Sequence, residues 1–437
     1  MVKGSFSLSL VAALLLLLPL ACTSDDDMGW DDDHSTSMSM GRDAALADGD
    51  MGTGGMDPLI ARMRGLEKAV EFIATKKTWS TRFGGGHKVI GAWIRGNQLL
   101  AQVDNADSNQ FEIHCADVAT GKPRWLVVLG DNPLVEAPAA GDGIFAFMTE
   151  NDSSMVVVNS QTGARLHNMR TSMDTIPVSG AVGAGDTVYV SNYLSGHMTS
   201  LAAESGVKGW DFRTRGICRA TPVLTSGLPN QLLIYGTDAG EIVALKPKPF
   251  NSSRPGGSVW LHNLHGPLTA APTYASVKAG DATQYLVVFP CEDGWLYGCD
   301  PATGRRRWVV RTEKAFMDSA VVLGDRVYAR NAERMIVADA RSGARIWRAP
   351  RGEDQSQYDY ELKDAAPAGF ELAHRALAAN AKNVYMSMGG NKVGRLTTDG
   401  GNLESIVDFD QFTHFLTNPA TGDLIMGTSD GIFVAFQ

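Results

Sequence analysis

Two short stretches contain residue types that could bind a ligand directly. His262 and His265 lie three residues apart, and imidazole nitrogens are common metal ligands. Both follow a tryptophan in a turn-rich segment that offers no third ligand, which argues against a metal site. Residues 84–87 are Gly-Gly-Gly-His, but a phosphate cradle requires the start of a helix, and this run does not open one. We therefore expect no catalytic residue, no metal site and no cofactor site.

Cys22 has the clearest chemical context. Lys3 precedes an apolar segment at residues 8–20, which is too short for a normal membrane span and indicates an export signal. Ala21 directly before Cys22 resembles a bacterial lipobox, in which the cysteine is diacylated and becomes the mature N-terminus. We therefore predict a lipoprotein signal peptide at residues 1–21 and lipidation of Cys22. Ordinary cleavage that leaves Cys22 unmodified is the alternative.

The residues after Cys22 are expected to connect this anchor to a folded domain. Residues 22–57 contain two runs of three aspartates and no apolar periodicity, which predicts an acidic, flexible tether. By the sorting rule of the lipoproteins that this segment resembles, a residue other than aspartate after Cys22, here Thr23, favours the outer membrane. Asp57 and Pro58 suit the N-cap and first position of a helix. Apolar residues then recur at steps of three and four, so residues 58–78 are predicted to form an amphipathic helix.

Four further cysteines lie in the exported part of the chain: Cys115, Cys218, Cys291 and Cys299. Export permits disulfides, and four cysteines allow three pairings. Cys291 and Cys299 flank one predicted hairpin, but its turn would place Cys291 nearer to Trp295 than to Cys299. We expect buried free thiols.

A repeated turn followed by a tryptophan organises the rest of the chain. In three copies, Asp, Thr or Ser, Gly and Trp stand at offsets 0, 3, 4 and 8: Asp117, Thr120, Gly121 and Trp125; Asp300, Thr303, Gly304 and Trp308; Asp339, Ser342, Gly343 and Trp347. The aspartate can accept bonds from backbone N–H groups, and glycine readily takes φ > 0. Looser copies occur at residues 159–163, with His167 in the tryptophan place, and before Trp210. This repetition predicts a repeat fold.

The spacing of these tryptophan places predicts the number of repeats. From residue 79 onward they recur at roughly forty to fifty residues, about four short strands, which is one propeller blade. The last step is longer, about 58 residues, because it contains an insertion. The eight places are Trp79, Trp125, His167, Trp210, Trp260, Trp308, Trp347 and a position near Ser405. They predict an all-β, eight-bladed β-propeller over residues 79–437. The chain ends inside a repeat, and the strand around Trp79 is the missing one, so both ends should complete a single blade.

These residues resemble the PQQ-like β-propeller repeat family, whose pattern is Ala-x-Asp-x-x-Thr-Gly-x-x-x-Trp. The family's tryptophan docks between adjacent blades, and the resemblance implies this role for Trp79, Trp125, Trp210, Trp260, Trp308 and Trp347. A propeller of this size behind a lipobox is similar to the family's outer-membrane assembly lipoproteins. That similarity implies a monomeric, lipid-anchored, non-enzymatic scaffold on the periplasmic face of the outer membrane. Its implied partners are envelope proteins, including a β-barrel assembly machine.

Other members of the repeat family leave two alternatives open. Quinoprotein dehydrogenases share the repeat, but that resemblance would demand adjacent cysteines, a calcium site and a catalytic aspartate. No two cysteines are adjacent in this chain. The first alternative is a quinoprotein-like, PQQ-binding dehydrogenase or ligand-binding propeller. The second is an envelope lipoprotein with an unrelated partner.

An insertion at residues 348–371 is the predicted contact surface. It interrupts the repeat and contains Tyr358 and Tyr360 among acidic residues. Tyrosines are common interface anchors, and binding residues are often found on loops of a rigid scaffold. An insertion without a binding role is the alternative. The net charge of −9 and the lack of a basic stripe argue against a nucleic-acid partner.

Overall fold

The computed structural model describes most of the predicted propeller. The described residues are 77–134, 137–140, 143–149, 154–170, 182–184, 187–191, 196–247, 258–333, 335–346, 374–379, 383–389, 392–397, 403–408, 412–418 and 423–436. The predictions for the signal peptide, Cys22, the tether, the insertion with Tyr358 and Tyr360, and Trp347 lie outside them. Residues 58–76 of the predicted helix also lie outside the described residues.

The described residues form 31 strands and one short 3-10 helix at Gly84–Gly86. In chain order the strands are β1 (Lys77–Arg82), β2 (Lys88–Arg95), β3 (Gln98–Asn105), β4 (Gln110–Asp117), β5 (Pro123–Gly130), β6 (Ala139–Ala140), β7 (Ile144–Met148), β8 (Ser154–Asn159), β9 (Arg165–Arg170), β10 (Val182–Ala184), β11 (Thr187–Ser191), β12 (His197–Ala202), β13 (Lys208–Arg213), β14 (Val223–Leu224), β15 (Leu233–Gly236), β16 (Glu241–Leu245), β17 (Ser258–Asn263), β18 (Thr273–Ala279), β19 (Ala282–Pro290), β20 (Trp295–Cys299), β21 (Arg306–Arg311), β22 (Val321–Leu323), β23 (Arg326–Arg330), β24 (Met335–Asp339), β25 (Arg375–Ala379), β26 (Asn383–Ser387), β27 (Lys392–Thr397), β28 (Leu403–Asp408), β29 (Phe412–Thr417), β30 (Leu424–Thr428) and β31 (Ile432–Phe436).

The strands make eight antiparallel sheets, which we number as blades 1 to 8 in chain order. Blades 1 to 5 are β2–β5, β6–β9, β10–β13, β14–β17 and β18–β21, and blade 7 is β25–β28. Blade 6 has β22–β24, and an isolated bridge between Ala338 and Arg345 marks the position of a fourth strand. Blade 8 has the order β1-β31-β30-β29. The predicted all-β, eight-bladed propeller is therefore confirmed.

The hydrophobic core lies between the blades. Eight clusters of buried side chains are found in the described part of the chain, and each combines residues of two neighbouring blades. One joins Trp79 and Phe433 of blade 8 to Leu99 of blade 1, so the series returns to its start. The inner strands of most neighbouring blades contact each other, for example β14 with β18 and β25 with β29, as expected for strands around a central channel. Burying both faces of each sheet explains the apolar runs in the middle strands.

The two ends of the described chain complete blade 8. β1 pairs with β31, with Trp79 opposite Ala435 and Arg82 opposite Ile432. The Phe83 backbone N–H continues this pairing with a 2.8 Å bond to the carbonyl oxygen of Gly431. The predicted shared blade is therefore present in the structure.

One predicted boundary is wrong by two residues. The helix was expected to reach residue 78, but Lys77 already belongs to β1 and pairs with Phe436. Backbone pairing with the last strand overrides the helical period at this point. Among the described residues, no helix has the length and hydropathy needed to cross a membrane.

Candidate functional site

The predicted turn residues form a hydrogen-bonded turn between the third and fourth strands of a blade. Asp300 Oδ1 accepts bonds from the backbone N–H groups of Ala302 and Thr303, both at 3.0 Å, and from Thr303 Oγ1 at 3.1 Å. Gly304 has φ +67° and donates its N–H to the Asp300 carbonyl at 2.8 Å. The same bonds recur at Asp117, Thr120 and Gly121 and at Asp339, Ser342 and Gly343.

An arginine neutralises the aspartate in each of these turns. Arg307 pairs with Asp300, and Arg124 with Asp117. Partial burial acts to raise the pKa of Asp300, but hydrogen bonds and charge from Arg307, with bonds from Thr303, hold the pKa below its usual value. These carboxylates are therefore ionised at neutral pH and committed to the turn, a poor state for a general acid.

Four of the predicted tryptophans dock on the turn of the following blade. Each indole N–H donates to a backbone carbonyl next to the turn aspartate or asparagine, at 2.9–3.0 Å: Trp79 to Val118, Trp125 to Ser160, Trp260 to Pro301 and Trp308 to Ala340. The turn glycine lies against the indole ring, and a Cβ atom at Gly343 would lie only 2.8 Å from Trp308 Cγ. The motif thus links successive blades.

Trp210 differs from these four. Its indole nitrogen is buried and has no hydrogen-bond partner among the described residues. In the next blade, the corresponding stretch of sequence has Lys246 where the repeat would have an aspartate, and it lacks the Thr-Gly pair. Among the described residues, the indole without a partner therefore coincides with a repeat whose sequence has lost the motif.

The two histidines of the candidate metal pair have separate surroundings. The His262 ring stacks on Trp260 with ring centroids 5.8 Å apart, and its Nε2 lies 3.3 Å from the carbonyl oxygen of Thr303. The His265 ring instead meets the Trp295 ring edge-on, with the ring centroids 5.3 Å apart. Within the described ranges, no group of three or more His, Cys, Asp or Glu residues is arranged to hold a metal ion.

The four cysteines of the propeller are free and buried. Burial raises the pKa of the Cys115, Cys291 and Cys299 thiols to about 12. A thiol with so high a pKa is protonated at neutral pH and is a weak nucleophile. These side chains act as small core residues.

A second group of residues was not predicted from the sequence. We call it the hairpin-face cluster: His265, Trp295, Arg311 and Met317. The guanidinium carbon of Arg311 lies 4.2 Å from the centroid of the Trp295 ring. Met317 is 61% exposed and follows Phe316, whose N–H bonds to the Cys291 carbonyl at the start of the same hairpin.

Topology explains why His265, Trp295 and Arg311 lie together and why Met317 is at the same edge of the blades. Trp295 begins β20 just after the β19–β20 hairpin, and Arg311 ends β21. His265 and Met317 lie in the connections into blades 5 and 6. In antiparallel blades, these hairpins and connections share one edge, opposite the repeat turns. A tryptophan outside the repeat's docking places was the sequence signal that could have identified this cluster.

The closed ring, the repeat turns and the docking tryptophans define an eight-bladed propeller of the PQQ-like class. Residues 73–213 and 251–408 match the family model of the outer membrane protein assembly factor BamB, and the chain belongs to that family. The unmatched residues between these ranges include most of blade 4, whose turn lacks the motif. No match was found among curated proteins.

Many solved structures are similar to this chain, among them the following three. BamB from Moraxella catarrhalis is 17% identical, with a TM-score of 0.58 over 83% of this chain and 97% of that one. The computationally designed Ika8 protein is 14% identical, with a TM-score of 0.54 over 83% and 99%. Quinohemoprotein alcohol dehydrogenase from Comamonas testosteroni is 10% identical, with a TM-score of 0.54 over 82% and 76%. At these identities the likeness concerns the fold alone.

Proposed function

We propose that this protein is a non-enzymatic, lipid-anchored scaffold that binds protein partners during the assembly of outer-membrane β-barrel proteins. Membership of the assembly-factor family supports this role. The chemistry of the repeat turns also supports it, because their carboxylates are engaged in structural bonds. A monomeric propeller on the periplasmic face of the outer membrane would present its loops to the assembly machine.

The observation that carries this proposal is the hairpin-face cluster. Tryptophan and arginine are the residues most enriched among energetic hot spots of protein interfaces. The Arg311–Trp295 contact holds both groups in one orientation, which reduces the entropy lost on binding. Met317 adds an exposed, adaptable apolar side chain. The cluster stands on a closed ring of sheets, the kind of rigid support that binding loops require.

Replacing Met317 by Asp is expected to weaken partner binding at least about tenfold, equivalent to about 1.4 kcal/mol. A carboxylate at this position would have to be desolvated in an apolar contact. The measurement is recovery of partner proteins from solubilised membranes, quantified by mass spectrometry. Leu126→Asp is the matched control, because Leu126 is 45% exposed on the outer strand of blade 1.

The same experiment decides between two contact surfaces. A variant with glycine-serine in place of residues 355–364 removes Tyr358 and Tyr360, the contact residues predicted from the sequence. If this variant no longer recovers partner proteins and Met317→Asp recovers them fully, the contact surface is the insertion and not the hairpin-face cluster. Equal recovery by all the variants would contradict both surfaces.

The alternative of a quinoprotein-like enzyme is tested on the same purified protein. It is favoured by the fold shared with quinohemoprotein alcohol dehydrogenase. The residues expected for that chemistry do not match: no two cysteines are adjacent, and the described cysteines are free thiols. We expect no dye-linked oxidation of alcohols or sugars with added PQQ and calcium. Turnover in this assay would overturn the scaffold role.

Anchoring through Cys22 is a separate part of the proposal. The variant Cys22→Ala should move the protein from the membrane fraction to the soluble fraction, because it lacks the thiol that would be acylated. A single acyl chain binds membranes only marginally, so the two or more chains of a lipoprotein are what hold it there. The measurement is fractionation of cells with detection of the protein in each fraction. A variant that still sediments with membranes would contradict the anchor.

A further inference from the structure

The central channel contains a cavity that the scaffold role does not use. Its volume is about 810 Å³, within the usual range of small-molecule sites, and the inner strands β18, β22, β25 and β29 contribute to its lining. Three types of side chain line it: the aromatic side chains of Tyr274 and Tyr285, the hydroxyl side chains of Ser276 and Thr283, and the basic side chain of Arg375.

The tyrosines form a fixed aromatic wall. Ser276 on β18 is opposite Tyr285 on β19, so side-chain alternation places Tyr274 and Tyr285 on one face of blade 5. Their rings are nearly parallel, with an interplanar angle of 6° and centroids 5.9 Å apart. The Tyr274 hydroxyl donates to the Ser226 carbonyl of blade 4. Burial, and to a smaller extent the neighbouring Tyr285, raises the pKa of Tyr274 to about 12, so the Tyr274 hydroxyl is uncharged at neutral pH.

Close backbone packing supports the same wall. Gly227 has φ +73°, and a Cβ atom there would lie 2.3 Å from the Tyr285 hydroxyl oxygen. Only glycine therefore allows the loop after β14 to approach the ring this closely. The wall is built from both blades and does not depend on a single exposed side chain.

Arg375 is the one basic side chain in the described lining of the cavity. Arg375 and Val321 also line a second cavity of about 380 Å³ between blades 6 and 7, together with Arg330 and His374. Burial, and to a smaller extent the positive charge of Arg330, lowers the pKa of His374. The second cavity has one carboxylate in its lining, Asp318, and the described lining of the larger cavity has none.

We propose that the channel cavity binds an acidic carbohydrate, a sugar that carries a carboxylate or phosphate group. Aromatic rings offer a flat apolar surface for the C–H face of a sugar ring. The hydroxyl groups of Ser276 and Thr283 can donate to and accept from sugar hydroxyls. Arg375 can bind the anionic group through two parallel hydrogen bonds. An acyl chain would place apolar groups against the charged Arg375 side chain and offer it no hydrogen bond, at a cost in free energy.

The test uses two sugars that differ in one acidic group. N-acetylmuramic acid carries a carboxylate that N-acetylglucosamine lacks, and binding of each to the purified full-length protein is measured by saturation-transfer NMR. We expect saturable binding of the acid with a dissociation constant on the order of 1 mM or below, and about tenfold weaker binding of the neutral sugar. Arg375→Gln should remove this difference and leave the neutral sugar unaffected.

Three variants complete the design. Tyr285→Ala should abolish binding of both sugars. If this variant unfolds at a much lower temperature than the parent protein, Tyr285→Leu, which keeps the apolar volume without the aromatic ring, replaces it and should also abolish binding. Arg306→Gln is the control, because Arg306 is exposed on the outer strand of the same blade and does not line the cavity. No saturable binding of either sugar would overturn the proposal. So would equal binding of both sugars that Arg375→Gln leaves unchanged.

Discussion

A chain that begins at residue 84 should lose most of its stability, whereas a chain that begins at residue 77 should keep it. The two differ by β1 and Phe83. Removing β1 leaves β31 as an unpaired edge. It also removes Trp79 and Phe83, which are 8% and 2% exposed. Loss of one large buried aromatic costs roughly 3–5 kcal/mol, so two approach the roughly 5–15 kcal/mol of a typical domain.

Thermal unfolding followed by circular dichroism measures this effect. A chain that begins at residue 58 is the control, and it should unfold at nearly the same temperature as the chain from residue 77. If the chain from residue 84 is insoluble, Trp79→Ala in the full-length protein gives a second measurement, with an expected loss of roughly 3–5 kcal/mol. Equal unfolding temperatures for the chains from residues 77 and 84 would contradict closure by a shared blade.

The architecture was predictable because its signals are local and repeated. The turn at Asp300 needs an acceptor side chain, a hydroxyl and a glycine at fixed offsets, so the motif is visible in any one copy. Closure was predictable because the last repeat stops before its fourth strand, and the strand around Trp79 supplies it. The sequence therefore predicted the class, the number of blades and their order.

The candidate contact site was not predictable in the same way. His265 and Trp295 are thirty residues apart in the sequence, and only the packing of blade 4 against blade 5 brings their rings to 5.3 Å. The channel cavity depends on single residues from several inner strands, which share no motif. Contacts between repeats leave no periodic signal, because each blade contributes a different side chain.

The residue paired with each docked tryptophan on the neighbouring strand was only partly predictable from the sequence. The repeat places alanine at this position, and the observed partners of Trp308, Trp125 and Trp260 are Gly298, Cys115 and Ala244. A small residue lets the indole lie flat on its own sheet before it reaches the next blade. The sequence showed the substitutions, but the pairing that explains them is visible only in the structure.

Trp308→Ala is expected to reduce the free energy of unfolding by roughly 3–5 kcal/mol. Trp308 is 6% exposed, and its indole N–H donates to the Ala340 carbonyl at 2.9 Å. On its own blade the ring lies so close to Gly298 that a Cβ atom there would be 2.0 Å from Trp308 Cε2. On the other side it contacts Gly343 of the next blade. Truncation therefore removes contacts on both faces of the ring and one buried hydrogen bond.

His167 is the matched position without a docked ring. It is exposed and pairs with Val157, a branched residue, where Trp308 pairs with glycine. His167→Ala should therefore change stability by no more than about 0.5 kcal/mol, as for other surface substitutions. Urea denaturation of both variants and the parent protein measures the difference. A loss at His167 as large as that at Trp308 would contradict the docking role of the tryptophan.

A second substitution tests whether the lost stability comes from the contact between blades. Gly343→Ala should destabilise the parent protein for two reasons, because its φ of +71° is unfavourable for alanine and its Cβ would press on Trp308. In the Trp308→Ala background only the backbone strain remains, so Gly343→Ala should cost less there. The double-mutant cycle should then show a coupling of about 0.5–3 kcal/mol, as for other residues in contact. Additive effects would mean that Trp308 stabilises its own blade alone and does not join it to the next.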